Sequence, residues 1–334
     1  MTNILQKLME KQDLTCEEAE SIMTRIMSGS ESQTRIAALL TSLKMKGETK
    51  TEIAAFASVM RKNAIRIKPN VGNLVDTCGT GGDSSNTFNI STTAALIAAG
   101  AGIKIAKHGN RSVSSKCGSA DVLEKLGVKM LEPKKVEKCI EKIGIGFMFA
   151  PYFHPAMKYV APVRKELGVR TVFNILGPLT NPASAHAQVL GVFDRTLIKT
   201  MAEALVELGT KKAMVVHSDG TDEIGLEKTN VAEINDGSIE EYIIDANEFG
   251  FKKTEMLIVD SKEKSAETIL EILKGKTSPA RDIAVLNAAA AIYVSGMGSF
   301  EDGITKATDS IDSGKAMEKL NELMKFDGEE NELA

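Results

Sequence analysis

Tryptophan is absent from the chain, and cysteine, histidine and tyrosine are scarce at four residues each. The cysteines stand far apart at Cys16, Cys78, Cys117 and Cys139, with no Cys-x-x-Cys pair and no histidine at metal-ligand spacing. This pattern speaks against a disulfide framework or a zinc site and fits a reducing compartment. Long apolar runs are missing too. None approaches the roughly 18 residues of a membrane span, and Asn3, Gln6 and Glu10 interrupt the start where a signal peptide would be apolar. A cytoplasmic protein with no membrane partner is expected. Strong charge of one sign is also lacking: the net charge of −4, from 41 basic and 45 acidic residues, disfavours non-specific binding to nucleic acid. Against that balance, a local cluster of Lys and Arg carries more meaning.

What is present is an ordered globular composition, 43% hydrophobic over 334 residues, enough for one large core or two smaller ones. Residues 1–66 hold three Ser/Thr-x-x-Glu/Gln patterns, at Thr15/Glu18, Ser30/Gln33 and Thr49/Glu52, each ahead of apolar residues at helical spacing. Ile36, Leu39, Leu40 and Leu43 fall on one face, as do Ile53, Phe56 and Met60, so a small all-helical subdomain is expected. Its stripes serve either as core or as a helix-mediated dimer interface.

Pro69, Asn70 and Gly72 mark a boundary, after which short apolar runs alternate with helices. Strands are expected at 74–75, 103–106, 146–149, 189–193 and 213–216, with helices at 120–126, 133–143 and 196–208 between them. Residues 231–235 and 239–244, joined through Asp236-Gly237, read as a hairpin. Helices follow at 265–274, 279–294 and 312–325, and the Glu-rich tail 328–334 is expected to fray. The fold class is therefore α/β. A helical N-terminal subdomain precedes a larger domain, residues 70–334, with a central, mostly parallel mixed sheet covered by helices on both faces.

Two loops read as anion sites. Asp76 to Asp83 (DTCGTGGD) has three glycines in four positions, Gly79, Gly81 and Gly82, where backbone N–H groups can crowd an anion. Such a turn also has a purely steric explanation. It is neither a dinucleotide fingerprint, since Ser84 replaces the third glycine, nor a P-loop, since Gly-Lys-Ser/Thr is missing. Asn89 or Ser91 is placed to cap a small-residue helix, Thr92–Ala99, whose N-terminus adds donors and partial positive charge. The run 103–106 then delivers Lys107, Asn110 and Arg111 to the same edge, if the sheet is parallel. Two such loops suit a ligand with more than one phosphate.

Two further constellations carry chemistry. Met157, Val160, Ala161 and Arg164 stand at helical spacing, which places Arg164 on an otherwise apolar face. There it is either salt-bridged or grips a planar carboxylate with its fork. The apolar, turn-rich run Phe173 to Pro182 suits a hinge or lining loop. After the strand 213–216 comes His217 to Glu223 (HSDGTDE), whose Asp222-Glu223 pair is either solvated or a magnesium site completed by substrate phosphates.

Five blocks in this order, Asp76–Asp83, Asn89–Thr92, Lys107–Ser119, Phe149–Pro182 and Asp222-Glu223, closely resemble the anthranilate phosphoribosyltransferase family over nearly the whole chain. The resemblance implies a fold of the nucleoside phosphorylase/phosphoribosyltransferase type, in which the segment 155–175 joins the helical subdomain. It also implies a Mg2+-dependent homodimer that makes N-(5-phosphoribosyl)anthranilate and pyrophosphate in tryptophan biosynthesis. Around phosphoribosyl pyrophosphate it places Gly79, Gly82, Asp83, Thr87, Asn89, Ile90, Ser91 and Thr92. From the second loop it adds Lys107, His108, Gly109, Asn110, Arg111, Ser112, Val113, Ser114, Ser115 and Ser119. Gly79, Asn110 and Arg164 would meet anthranilate, with His108, His154, Tyr159, Gly177 and Pro178 lining its pocket. Ser91, Asp222 and Glu223 would serve magnesium. The family often has a histidine where this chain has Phe153.

Two rivals remain at this level. A pyrimidine-nucleoside phosphorylase shares the fold but needs a nucleobase pocket rather than a carboxylate-gripping arginine. A non-catalytic, nucleic-acid-binding paralogue would need a basic face, which the acidic balance opposes.

Overall fold

The computed structural model describes residues 2–81, 87–112, 117–254 and 258–328. The chain opens with helices Thr2–Met9, Cys16–Met27, Gln33–Lys46 and Lys50–Asn63. Capping boxes form at Thr15 with Glu18 and at Thr49 with Glu52, as the patterns predict. The third pattern is corrected. Ser32, not Ser30, caps the helix, its Oγ accepting the Arg35 N–H, because Gln33 is already the first helical residue. Ile36, Leu39, Leu40, Leu43, Ile53, Phe56 and Met60 are all buried, so these stripes are core.

A buried carboxylate holds this bundle's loops together. Glu52, fully buried, accepts the Leu14 N–H (2.9 Å), the Thr49 N–H (2.9 Å) and the Lys46 ammonium (2.9 Å). The loop before the second helix and the turn between the third and fourth helices meet on one side chain.

Among the described residues seven strands form one sheet in the order β3-β2-β1-β4-β5-β6-β7. They are β1 (Leu74–Gly79), β2 (Lys104–Gly109), β3 (Ile145–Phe149), β4 (Ala187–Gly191), β5 (Lys212–His217), β6 (Lys228–Asn235) and β7 (Ser238–Asp245). The first five are parallel and the last two form the expected antiparallel hairpin. Its turn residues Asp236 and Gly237 both have positive φ, 46° and 90°, matching the twist of the paired strands. One sheet face packs on helices Ile90–Gly100 and Pro279–Val294. The other packs on helix Leu197–Glu207, and that apolar layer runs on into the N-terminal helices through Val160, Val163 and Leu176.

The expected C-terminal helices occur as Lys262–Leu273, Pro279–Val294 and Lys315–Lys325, and one unexpected helix, Phe300–Asp312, lies between the last two. Gly303 lies inside this helix and sits against the Ala289 backbone, where a Cβ would stand 2.7 Å from a carbonyl oxygen, so it allows close helix packing. The tail from 329 onward lies outside the described residues.

Glu52→Ala leaves the buried Lys46 ammonium and two N–H groups without their partner, and should cost about 3–5 kcal/mol in urea unfolding. Asp13→Ala, which removes a 65% exposed partner of the same lysine, should cost less than about 1 kcal/mol. Equal effects would contradict this account of the bundle.

Candidate active site

The parallel strands β1 to β5 bring their carboxyl ends to one edge. The chain lays β2 and β3 on one side of β1 and then returns to place β4 and β5 on the other, so the β1/β4 seam is the topological switch point. Gly79 and Gly191 are register partners at its end. The acidic loop after β5 crosses directly over them: a Cβ on Gly79 would strike the Asp222 carboxylate, and one on Gly191 would strike the Asp222 carbonyl. From there Asp222 Oδ2 accepts the Gly81 N–H at 2.7 Å, and Glu223 Oε1 accepts the Ser91 N–H at 3.2 Å. The glycine loop and the start of the following helix thus meet at the acidic pair.

Helix Ile90–Gly100 points its N-terminus at this place. Asn89 stands at the cap position but makes no capping bond, a correction to the sequence expectation. Its amide instead donates to the Cys117 carbonyl (3.2 Å) and accepts from Ser265 Oγ (2.8 Å). Ser91 does not cap either; its Oγ receives the Lys107 ammonium at 3.2 Å. Lys107 is 3% exposed and also donates to the Thr77 carbonyl. Burial pulls its pKa below the ordinary lysine value, and the neighbouring Asp76 is the strongest influence opposing that.

Asp76 explains how a lysine can be buried here. Register pairs between β1 and β2 are confined to Leu74↔Lys104 and Val75↔Ile105. Beyond them, Asp76 Oδ1 takes the His108 N–H (3.1 Å). A carboxylate replaces a ladder bond, and its charge offsets part of the cost of burying Lys107. Burial raises the Asp76 pKa, while Asn181 and Lys107 act in the opposite direction.

The second loop behaves less simply. Arg111 forms a two-pronged pair with Glu124 (2.5 and 2.7 Å) and also reaches Asp121 (3.2 Å), while stacking over Phe149 at 5.4 Å. Its guanidinium is committed to these carboxylates rather than to the seam. The Asn110 carbonyl accepts from Ser119 Oγ (3.2 Å), and the Ser112 N–H reaches Asp121 (3.0 Å), so Asp121 and Ser119 shape the loop's exit. Gly109 ends β2 where a Cβ would strike Ser119 and Phe147. Gly82, Asp83, Val113, Ser114 and Ser115 lie outside the described residues.

On the opposite sheet face, His108 and His154 lie with ring centroids 5.1 Å apart. Both are buried, and the Nε2 of each has no hydrogen-bond partner among the described residues. Burial pushes His108 down to about 3, helped by His154, and His154 down to about 4. Backbone bonds at Gly177 and Thr180 oppose these shifts, so each ring is neutral with its other nitrogen engaged. The Gly177–Thr180 turn is held from below by Gln188 Nε2 on the Pro178 carbonyl (2.7 Å). Arg164 lies 5.7 Å over the Phe173 ring, and burial alone shifts its pKa downward, with no carboxylate among the described residues pulling it back. The salt-bridged alternative for Arg164 is not what these residues hold.

Residues 155–159 form a 3-10 turn before helix Ala161–Leu167, so Ala161 is exposed and Val163 takes the buried position beside Val160. Tyr159, 36% exposed, packs its ring on Gly29 of the helical bundle. Phe153 is fully buried with Ile67, Ile140 and Met148, a core role rather than a pocket one.

Residues 2–64 match the helical bundle domain, and residues 71–317 the a/b domain, of a glycosyl transferase family. The chain is 54% identical over 336 aligned positions to the anthranilate phosphoribosyltransferase of Methanocorpusculum labreanum, covering 98% of both proteins. The enzyme of that name from Alkaliphilus metalliredigens is 52% identical, covering 98% of this chain and 99% of its relative. The chain belongs to the anthranilate phosphoribosyltransferase family. Among solved structures, that of the Thermus thermophilus member superposes with a TM-score of 0.91 at 43% identity, covering 97% of this chain and 98% of the other. The Saccharomyces cerevisiae member, solved with PRPP and Mg, gives 0.86 at 28% identity, covering 97% and 96%.

Within this family setting, the metal expectation can be tested against the side chains. Ser91 and Glu223 line one small cavity with Thr77, Cys78 and Gly191, and Asp222 crosses above it. These are hard oxygen donors, suited to magnesium. Among the described residues no group of three or more His, Cys, Asp or Glu could hold a metal without help. A cation here needs substrate oxygens, which is how magnesium usually binds beside phosphates. Sequence reasoning assigned no role to Asp76, Gly191 or Gln188. The available signals were a carboxylate, a glycine and an amide, each inside an otherwise apolar strand.

The histidine pair generates a stability signature. A folded pKa depressed below the unfolded value of 6.5 means that the unfolded chain takes the proton first, so stability falls as pH drops from about 6.5 to about 4. His154→Gln should lose less stability over that window than the parent, by up to about 1.4 kcal/mol per pH unit. Parallel stability profiles from urea unfolding would contradict the neutral, buried assignment.

Proposed function

We infer that the chain transfers the 5-phosphoribosyl group from phosphoribosyl pyrophosphate to the amine of anthranilate, releasing pyrophosphate with the help of Mg2+. The observation that carries this reading is the convergence of Lys107, the Gly81 and Ser91 N–H groups and the Asp222-Glu223 pair on the β1/β4 seam. Support for the acceptor side comes from Arg164, which has no carboxylate partner among the described residues, and from the pair of neutral histidines on the opposite sheet face.

In this reading the Asp222 and Glu223 carboxylates leave the Gly81 and Ser91 N–H groups, and those freed donors, with Lys107, hold the pyrophosphate oxygens. Ser91, Asp222 and Glu223 hold Mg2+, which when bound neutralises the leaving group's charge. The C1–oxygen bond breaks with its electron pair leaving on pyrophosphate, giving an oxocarbenium-like state that buried, fixed donors stabilise through the leaving group. The anthranilate nitrogen then bonds to C1 and gives up one N–H proton to the released pyrophosphate or to water. An aromatic amine brings its own lone pair and needs no strong base, so the protein's task is alignment. Arg164 fixes the carboxylate, and the unpartnered Nε2 atoms of His108 and His154 offer lone pairs to the amine's N–H groups. The helical subdomain 1–66, with 155–175, closes over the 70–334 domain to exclude water, and two copies pair through the helical subdomain in the cytoplasm.

Purified protein should consume anthranilate, followed by its fluorescence, only when phosphoribosyl pyrophosphate and Mg2+ are both present. Turnover without donor or metal, or none by folded protein, would overturn the reading. Loss of a charge-assisted pair costs about 1.5–3 kcal/mol. Arg164→Ala should therefore raise the KM for anthranilate by roughly tenfold or more and leave the donor KM much less affected. Equal changes in both would count against Arg164 as the carboxylate receptor.

A further inference from the structure

Helix Pro279–Val294 is buried along most of its length, and its central run from Ile283 to Ile292 is apolar but for Asn287, which is 3% exposed. A buried amide is costly unless its donors and acceptor are all met. Asn287 meets them largely on a single residue. Its Oδ1 accepts the Ile224 N–H at 3.0 Å, and its Nδ2 donates to the Ile224 carbonyl at 2.9 Å and to the Ile283 carbonyl at 2.9 Å. One side chain thus grips both backbone groups of Ile224 as a neighbouring strand would, and Ile224 directly follows Glu223.

Other bonds fix the same loop. Ser218 Oγ donates to the Glu223 carbonyl at 2.8 Å, Ser218 and Thr221 exchange backbone bonds, and the Gly225 N–H reaches Thr229 Oγ1 at 3.2 Å. These bonds close a turn with positive φ at Asp219 (38°) and Gly220 (80°). Beyond the turn's own bonds, Asn287 adds a two-point hold from a different element. Asn287 also lines the cavity it shares with Ser91 and Glu223.

We propose that Asn287 is a positioning residue for the reaction: by clamping Ile224 it fixes the placement from which Asp222 and Glu223 present their carboxylates to a divalent cation. The inference rests on the metal reading of that pair given above. Cation ligands must be held in place by the groups behind them, and removing such a support weakens metal binding without removing a ligand. A leucine at 287 would fill similar space, so packing alone would not require an amide there. Three hydrogen bonds would be lost, and the loop would be free to relax while the helix stays buried.

The test is a Mn2+ titration followed by electron paramagnetic resonance in the presence of pyrophosphate, paired with the anthranilate KM at saturating metal. Asn287→Leu should weaken Mn2+ roughly tenfold or more with the anthranilate KM little changed, and Ser218→Ala should move Mn2+ binding in the same direction by less. A folded Asn287→Leu protein that titrates like the parent overturns the proposal, as does a parallel rise of both constants, the mark of general loosening. Should Asn287→Leu not fold, Ser218→Ala decides by the same two criteria. Asp222→Asn separates the levels. Unchanged Mn2+ binding there removes the metal reading and this inference with it, whereas loss there beside an unaffected Asn287→Leu removes the inference alone.

Discussion

Two missing Cβ atoms, at Gly79 and Gly191, let the carboxylate and the backbone carbonyl of Asp222 lie directly on the carboxyl ends of β1 and β4. A side chain at Gly79 would displace the Asp222 carboxylate, and one at Gly191 would force the acidic loop itself to lift away from the sheet. Its carboxylates would then no longer reach the Gly81 and Ser91 N–H groups. The close approach converts two sequence-distant features, a glycine loop after β1 and an acidic turn after β5, into one site. It also puts that site at the switch point of a parallel sheet, where strand order opens a crevice for a ligand.

Charge is then arranged by burial rather than by abundance. Lys107 stands inside the β1/β2 seam because Asp76 breaks the ladder there and offsets part of the cost of its burial with opposite charge. A lysine held this way donates from a fixed place to Ser91, the residue at which helix and acidic loop meet. Preorganised donors in a water-poor site stabilise a departing anion more than mobile surface cations would. Arg111 illustrates the contrast: it is paired with Glu124 and half-exposed, and it shapes its loop rather than the anion surface. On the opposite sheet face the logic reverses. Among the described residues Arg164 lacks a counter-charge, and two histidines are kept neutral, so that side is complementary to a ligand bringing a carboxylate and N–H donors.

The sequence reveals features whose signal is local. Short apolar runs, Asp-Gly in the hairpin turn and two of the three capping patterns mark elements that the structure contains. The glycine loop, Lys107 and Asp222-Glu223 were legible because their order matches a known family. Features made by contacts across the fold were not. Ser32 displaces Ser30 as a cap by two residues, Gly303 belongs to a helix because Ala289 lies against it, and Asn89 bonds sideways to residues 117 and 265 instead of capping. Asp76, Gly191 and Asn287 are single polar or small residues in apolar runs. Their partners stand 32, 31 and 63 positions away, so local pattern could flag them as odd without saying what they hold.

The account's central claim is that donor and metal meet at the β1/β4 seam. A crystal grown with Mn2+ and phosphoribosyl pyrophosphate, read by its anomalous difference map, tests this most directly. The account predicts a manganese peak bounded by Ser91, Asp222 and Glu223, with the pyrophosphate reaching the Gly81 and Ser91 N–H groups and the Lys107 ammonium. Donor and manganese bound elsewhere, with both carboxylates still on the Gly81 and Ser91 N–H groups, would contradict it.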